Sequence, residues 1–284
     1  MTEMAESFAA DLSLSVGDFH RLSRFINDLS GIKMSAAKKA MVEGRLRRRV
    51  RNLGFDTFSA YCRFVFDGGG LDQEGVHIID AVTTNKTEFF REPDHFRFLA
   101  EQALPDLAPA GRVRPLRVWS AACSTGAEPY TLAMVLETAL TGRPGLDFEI
   151  LATDLCTEVL KTGVQGIYPE DMVAPVPMEW RHRYLLRSRD RAAQRVRIGP
   201  ELRRKVRFQH LNLTADAYAV KGAFDVIFCR NVLIYFDKAV QAAVLARLCD
   251  HLLPGGYLFI GHSETVAGYA LPVRAVAPTV FVKV

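Results

Sequence analysis

The chain has 284 residues, 49% of them apolar and 24% charged, with a net charge of +4. That balance and length fit a soluble globular protein of two domains and exclude a disordered chain. Five cysteines without a C-x-x-C pair argue against a disulfide framework and against a zinc site, and no metal is expected. No apolar run is long enough to span a membrane, and the acidic, polar first residues are not a secretory signal, so a cytoplasmic protein without membrane insertion is expected.

Residues 17–66 read as helices. Ser35 is placed to cap a helix over Ala36–Asn52, on which Val42, Leu46, Val50 and Leu53 form one apolar stripe. From Lys38 to Arg51 there are seven bases and one acid, Glu43, so the rest of that helix is basic. Clustered charge of this kind points to an acidic partner surface or to a solvated face. A further helix is expected over Thr57–Phe66, and Asp67-Gly68-Gly69-Gly70 then breaks the pattern. This gives a helical domain over residues 1–72 and a linker with some helix over 73–84.

Thr83-Thr84-Asn85-Lys86-Thr87-Glu88-Phe89-Phe90-Arg91-Glu92 sets polar side chains before Phe-Phe-Arg. Arg91 reads either as a solvent-facing residue of a capped helix or as a bidentate clamp for a carboxylate. From residue 116 onward strand and helix signals alternate. The candidate strands are Leu116–Ser120, Glu149–Thr153, Val206–Leu211, Val226–Cys229, Gly256–His262 and Thr279–Lys283. Helices are expected over Ala127–Thr141, Thr157–Gly163 and Lys238–Leu252. Such alternation indicates an α/β domain with a mostly parallel sheet, here over 85–284. Residues 179–202 break the rhythm and read as an inserted subdomain with short strands near Tyr184–Leu186 and Gln194–Ile198.

Arg117–Glu137 carries the strongest signal: a short strand, a small-residue turn and a helix start, where unpaired N–H groups point at a ligand. The turn has one glycine, Gly126, and lacks G-x-G-x-x-G, which suits a group smaller than a pyrophosphate. Glu128 complements the helix dipole or contacts a ligand. Asp154 ends the second strand, where it serves as a helix cap or holds a ribose diol. Asn212-Leu213 follow the third strand. Arg230-Asn231 sit at the carboxyl end of the fourth, where ligands bind in open α/β sheets. Tyr235 lies one turn further on, as a buried tyrosine or as a site residue. His262 and Ser263 read as structural.

Together TTNKTEFFRE, ACSTGAEPYT, LATDL, GIYPEDM, NLT, CRNVLIYFDK and LLPGGYLFIGHSE, in this order, resemble the CheR family of S-adenosylmethionine-dependent methyltransferases that modify bacterial chemotaxis receptors. The resemblance implies a doubly wound, Rossmann-like class I methyltransferase sheet with a small inserted β-subdomain and an all-helical N-terminal domain. It implies transfer of a methyl group from S-adenosylmethionine to receptor glutamates, leaving S-adenosylhomocysteine. Arg91 and Tyr235 would then be catalytic. Asn85, Thr87, Arg91, Glu128, Asp154, Asn212, Leu213, Arg230 and Asn231 would border the cofactor. The partner would be a chemoreceptor cytoplasmic domain, met by the basic helix 36–51, with recruitment to membrane receptor arrays. A monomer is expected, and no nucleic-acid partner, because no aromatic residues interleave the bases. Two departures stand out. Ala127 occupies a position where the family usually has a second acid. Residues 188–194 lack the glycine of the loop that docks a receptor C-terminal pentapeptide in some members, so that partner is left open.

Overall fold

A computed structural model describes residues 13–109, 112–143 and 145–284. They form two compact units: residues 13–84 with 235–237, and the remainder from residue 85.

The first unit is helical: α1 (Val16–Ser30), α2 (Lys39–Asn52), α3 (Phe58–Asp67) and α4 (Leu71–Val82). Val42, Leu46 and Val50 are buried as the stripe on α2 requires, whereas Leu53 lies past the last turn and is exposed. Ser35 does not cap with its side chain, because Ala36–Lys38 winds as a 3₁₀ turn before α2 begins. Residues expected as a linker belong to α4. Gly75, inside that helix, is what hid it, since glycine weakens a helix signal. Its position lets Phe25 approach so closely that a Cβ there would lie 3.2 Å from the ring. Glu74 of α4 is buried, taking Arg49 Nε (3.0 Å), Arg49 Nη2 (2.5 Å) and Tyr61 Oη (3.1 Å).

The second unit is built on a seven-stranded sheet in the order β6-β2-β1-β7-β8-β10-β9. The strands are β1 (Leu116–Ala121), β2 (Phe148–Asp154), β6 (Val206–His210), β7 (Phe224–Cys229), β8 (Leu252–Ile260), β9 (Val273–Ala277) and β10 (Val280–Lys283). The first five run parallel, and β10 pairs antiparallel with both β8 and β9. β1, β7 and most of β2 are buried, as parallel strands covered on both faces must be. β9, none of whose residues is buried, was unforeseen in the sequence and forms one edge of the sheet. α6 (Ala127–Ala139) and α7 (Thr157–Gln165) follow β1 and β2.

Inserted after α7 is a three-stranded antiparallel sheet, with β5 (Arg195–Ile198) between β3 (Ile167–Pro169) and β4 (Leu185–Arg187). The insertion therefore starts before residue 179, since β3 supplies a strand too short to read by alternation. Gln194, just before β5, holds a left-handed backbone (φ 43) that glycine usually takes. At the amino end of the main sheet, buried Asp225 accepts from Arg112 Nη2 (2.8 Å), Arg114 Nη2 (2.7 Å) and the Arg117 backbone N–H (2.9 Å). The opposite, carboxyl end is left for chemistry. Among the described residues no helix is long and apolar enough to cross a membrane.

Candidate active site

Sheet register sets three chain segments side by side. Ala121 of β1 pairs with Thr153 of β2 on one side and with Cys229 of β7 on the other. The turn 122–126, Asp154 and Arg230-Asn231 therefore leave neighbouring strands about 5 Å apart. β1 is also where the winding reverses, with β2 and β6 laid to one side and β7 and β8 to the other. Ligands of open α/β sheets bind at such a switch point.

The backbone there is strained. Ala122 (φ 62), Ser124 (φ 51), Phe90 (φ 56), Glu92 (φ 55) and Asn231 (φ 58) all adopt the left-handed region without being glycine. Each such residue costs on the order of 1–3 kcal/mol, and clusters of them mark functional sites. Gly126 (φ 93) ends the turn, but its bare face serves packing. A Cβ would lie 2.9 Å from Tyr168 Oη and 3.1 Å from Phe208. The room attributed to this glycine is therefore filled by protein.

Asp154 is buried and receives the Ser124 N–H on Oδ2 (2.8 Å) and the Cys156 N–H on Oδ1 (2.9 Å). It thus ties the turn to the start of α7 while retaining lone pairs for a further donor. Burial outweighs these hydrogen bonds, and its pKa is raised. Asn85 joins the same corner. Its carbonyl accepts from Ser124 Oγ (2.9 Å), and its Nδ2 donates to Cys156 Sγ (3.4 Å). Thr87 lies half-buried in the same segment. That segment is anchored by Phe89, buried edge-on against Tyr168, and by the Phe90 N–H on Thr131 Oγ1 (3.2 Å). Arg91 is half-buried and donates Nη1 to the Lys86 carbonyl (3.1 Å). Past β6, Asn212 Oδ1 accepts the Thr214 N–H (2.9 Å), which folds the loop, and Leu213 is buried beside it.

Arg230 is the centre of the site. It is 5% exposed, and its guanidinium meets Glu128 Oε2 (3.3 Å), Glu92 Oε2 (3.0 Å) and the Arg91 carbonyl (2.5 Å). Glu128 also accepts from Ser120 Oγ (2.6 Å). Burial raises the Glu128 pKa, and Arg230 and Ser120 only partly offset that rise. Asn231 donates Nδ2 to Glu92 Oε1 (3.0 Å). Tyr235 ends a short 3₁₀ turn, Leu233–Tyr235, and is grouped with the helical unit.

Two acids escaped the sequence reading. Glu92 receives Arg230 and Asn231. Glu264 is buried and accepts the N–H groups of Gly261 (2.7 Å), Asn231 (2.9 Å) and Leu233 (2.7 Å). It fixes the loop after β7, and Gly261 permits the approach, since a Cβ there would lie 2.5 Å from Asn231 Nδ2. An acid four residues past a strand gives no such signal in sequence.

The donor set fits a cofactor with a cationic amino-acid end and a ribose. Two carboxylates, buried Asp154 and largely buried Glu128, flank one turn, and Thr125 Oγ1 within that turn is buried without a hydrogen-bond partner in the protein. The domain description "CheR methyltransferase, SAM binding domain" matches residues 85–281, and "CheR methyltransferase, all-alpha domain" matches residues 17–83. The chemotaxis protein methyltransferase of Klebsiella aerogenes is 44% identical over 259 residues, covering 90% of this chain and 86% of that protein. Chemotaxis protein methyltransferase 2 of Pseudomonas aeruginosa is 39% identical, covering 93% and 92%. The chemotaxis protein methyltransferase of Escherichia coli is 41% identical, covering 89% and 86%.

Proposed function

This chain belongs to the CheR methyltransferase family, and from that premise we propose that it methylates glutamate side chains on the cytoplasmic helices of chemoreceptors. The resemblance carried by its motifs is thereby borne out, as are the class I methyltransferase fold and the use of S-adenosylmethionine. It is a methyltransferase of the chemotaxis class. The receptor glutamates and the residue roles that follow are the proposal.

S-adenosylmethionine, when bound, supplies a methyl group on a sulfonium, reactive without activation by the protein. An acceptor glutamate has an ordinary pKa near 4.3, is ionised at neutral pH and needs no general base. What this chain's residues contribute is placement, which can supply roughly 7–11 kcal/mol of a barrier. Arg91, which donates Nη1 to the Lys86 carbonyl, has further N–H groups with which to orient the acceptor carboxylate. Tyr235 supports it, as the matching family motif implies. Glu128 holds the cofactor's ammonium and Asp154 its ribose, with Asn85 and Thr87 alongside. Asn212 and Leu213 border the adenine. Arg230 and Asn231 act from behind, keeping Glu128 and the Arg91 backbone in place. The observation that carries this reading is the pair of acids, buried Asp154 and largely buried Glu128, on either side of one strained turn.

The receptor is met by exposed bases of α2. Arg47 is held by Glu43 (2.5 Å), Arg49 by Glu74, and Arg45 by the carbonyls of Val82 (2.7 Å) and Thr83 (2.8 Å). Arg48 and Arg51 are exposed and are the better candidates. Incubation with radiolabelled S-adenosylmethionine and a panel of receptor cytoplasmic fragments tests the proposal. Base-labile label on receptor is expected. Label that survives base, or none on any fragment, would reject glutamate esters.

A further inference from the structure

Three side chains outside the proposed reaction meet at the carboxyl edge of the sheet. Glu92 heads α5 (Pro93–Phe98), His95 lies in that helix, and His262 follows β8. One ligand atom from each falls within 4.8 Å of the other two.

The hydrogen-bond directions leave an electrostatic gap among them. His95 is 2% exposed, and its Nε2 lies 2.8 Å from Thr279 Oγ1. That hydroxyl donates its own hydrogen to the Pro278 carbonyl (2.7 Å). In the tautomer that matches this donation, Nε2 carries the ring hydrogen and Nδ1 presents a lone pair. Nδ1 is buried with no hydrogen-bond partner and faces Glu92 Oε2 at 3.5 Å. In that tautomer two acceptors face each other, and a shared proton or a metal ion relieves their repulsion. His262 Nε2 stands 3.9 Å from the same oxygen.

We infer that Glu92 Oε2, His95 Nδ1 and His262 Nε2 form a binding site for a divalent transition-metal cation of the zinc class. Two imidazoles and one carboxylate are a recurrent zinc donor set, with bonds of about 2.0–2.2 Å. Donors on one tetrahedral ion stand roughly 3.3 Å apart by that geometry. A small rotation of the half-exposed His262 closes the difference. The surroundings orient the donors as outer partners of metal ligands do. The Thr279 hydroxyl engages His95 Nε2 and leaves Nδ1 turned toward Glu92. Asn231 Nδ2 (3.0 Å) and the His262 N–H (3.3 Å) occupy Glu92 Oε1 and turn Oε2 toward the rings. A cavity of about 440 Å³ nearby is lined in part by His95, His262 and Thr279. Arg230, 3.0 Å from Glu92 Oε2, opposes the cation and makes the affinity modest. The sequence reading excluded zinc on its cysteines. The donors proposed here come from segments 170 positions apart and leave no spacing to read.

The test uses the full chain, stripped with chelator and kept in a non-thiol reductant. Calorimetry with zinc chloride should give one equivalent bound to the wild type. His262→Ala should weaken that binding at least tenfold while keeping its affinity for S-adenosylhomocysteine, the check that it is folded. Magnesium should not substitute. Cobalt(II) added to the wild type should develop visible bands without thiolate-to-metal charge transfer. Equal zinc binding by both proteins, no binding by the wild type, or a thiolate band assigning the metal to the cysteines would each overturn the site.

Discussion

Glu74 in the helical unit, buried, and Glu128 in the methyltransferase unit, largely buried, are both carboxylates that face an arginine, yet their environments act in opposite directions. Burial alone would raise the Glu74 pKa, but two donors of Arg49 and the Tyr61 hydroxyl outweigh it and hold the carboxyl below its usual range. These partners sit on regular helices. Burial of Glu128 is the larger effect, and Arg230, shared with Glu92, does not cancel it. Arg230 is itself imperfectly served, with Nε buried and without a partner, and its neighbours hold left-handed backbone. A fully matched charge fastens a fold. Under the proposed function, the under-neutralised one awaits the cationic end of the cofactor.

The largest expected effect separates Arg91 from Arg49. Arg49→Ala removes a partner of a buried acid and should act on stability. Arg91→Ala should unfold little and lower turnover by about 10²–10³-fold, the scale for losing one preorganised donor, with S-adenosylhomocysteine affinity kept within a few-fold. Unchanged turnover would take Arg91 out of the mechanism.

Next comes an exchange of charge for shape in the two acids. Glu74→Gln should cost about 2–3 kcal/mol in urea unfolding, below the usual range for a broken buried pair because Arg49 is partly solvated. Glu128→Gln should change stability by no more than about 1 kcal/mol, since it removes a charge that burial disfavours. It should nevertheless weaken S-adenosylmethionine binding about 10- to 100-fold, the worth of a hydrogen bond to a charged group. Equal destabilisation by both substitutions would erase the contrast.

Much of this architecture was legible in the chain. The apolar runs of β1, β2 and β7 and the stripe of Val42, Leu46 and Val50 follow from periodicity alone. The turn after β1 and the acid after β2 were read as a site because strand ends and helix starts have known chemistry. The residues that hold that site together were not legible. Glu92 and Glu264 act only because the backbone at Asn231 turns left-handed and Gly261 lets two loops touch, and neither condition has a local pattern. Ion pairing on α2 was hidden for the same reason. The run of bases looked uniform until Glu43 and Glu74 were seen to engage Arg47 and Arg49.

pH sharpens the comparison, because the two acids carry opposite signs. Glu74 has a lowered folded pKa, so its stabilisation is complete above the ordinary glutamate value and is lost as pH falls through the folded one. Glu128 has a raised folded pKa, so its ionisation destabilises the free protein as pH rises from the ordinary glutamate value through the raised one. Cofactor affinity should show the reverse side of this, falling on acidification through the raised Glu128 pKa. Calorimetry with S-adenosylhomocysteine from pH 8 downward should show that step in the wild type and a smaller one in Glu128→Gln, the remainder belonging to Asp154, whose pKa is also raised. A step of unchanged size in the variant would take Glu128 out of it.

The smallest expected effect concerns the outer face of α2. Arg48 and Arg51 are exposed, unlike the half-buried Arg49. Exposed charges of this kind steer encounter and are screened beyond about 8–10 Å by physiological salt. Replacing Arg48 and Arg51 with alanine should raise the Michaelis constant for a receptor fragment a few-fold at low salt. The difference should shrink as salt is added, and S-adenosylhomocysteine binding and unfolding should be unchanged. A larger effect that resisted salt would mean these arginines make close, desolvated contacts with receptor, and the partner-facing charge would then resemble the Arg49 pair rather than a steering surface.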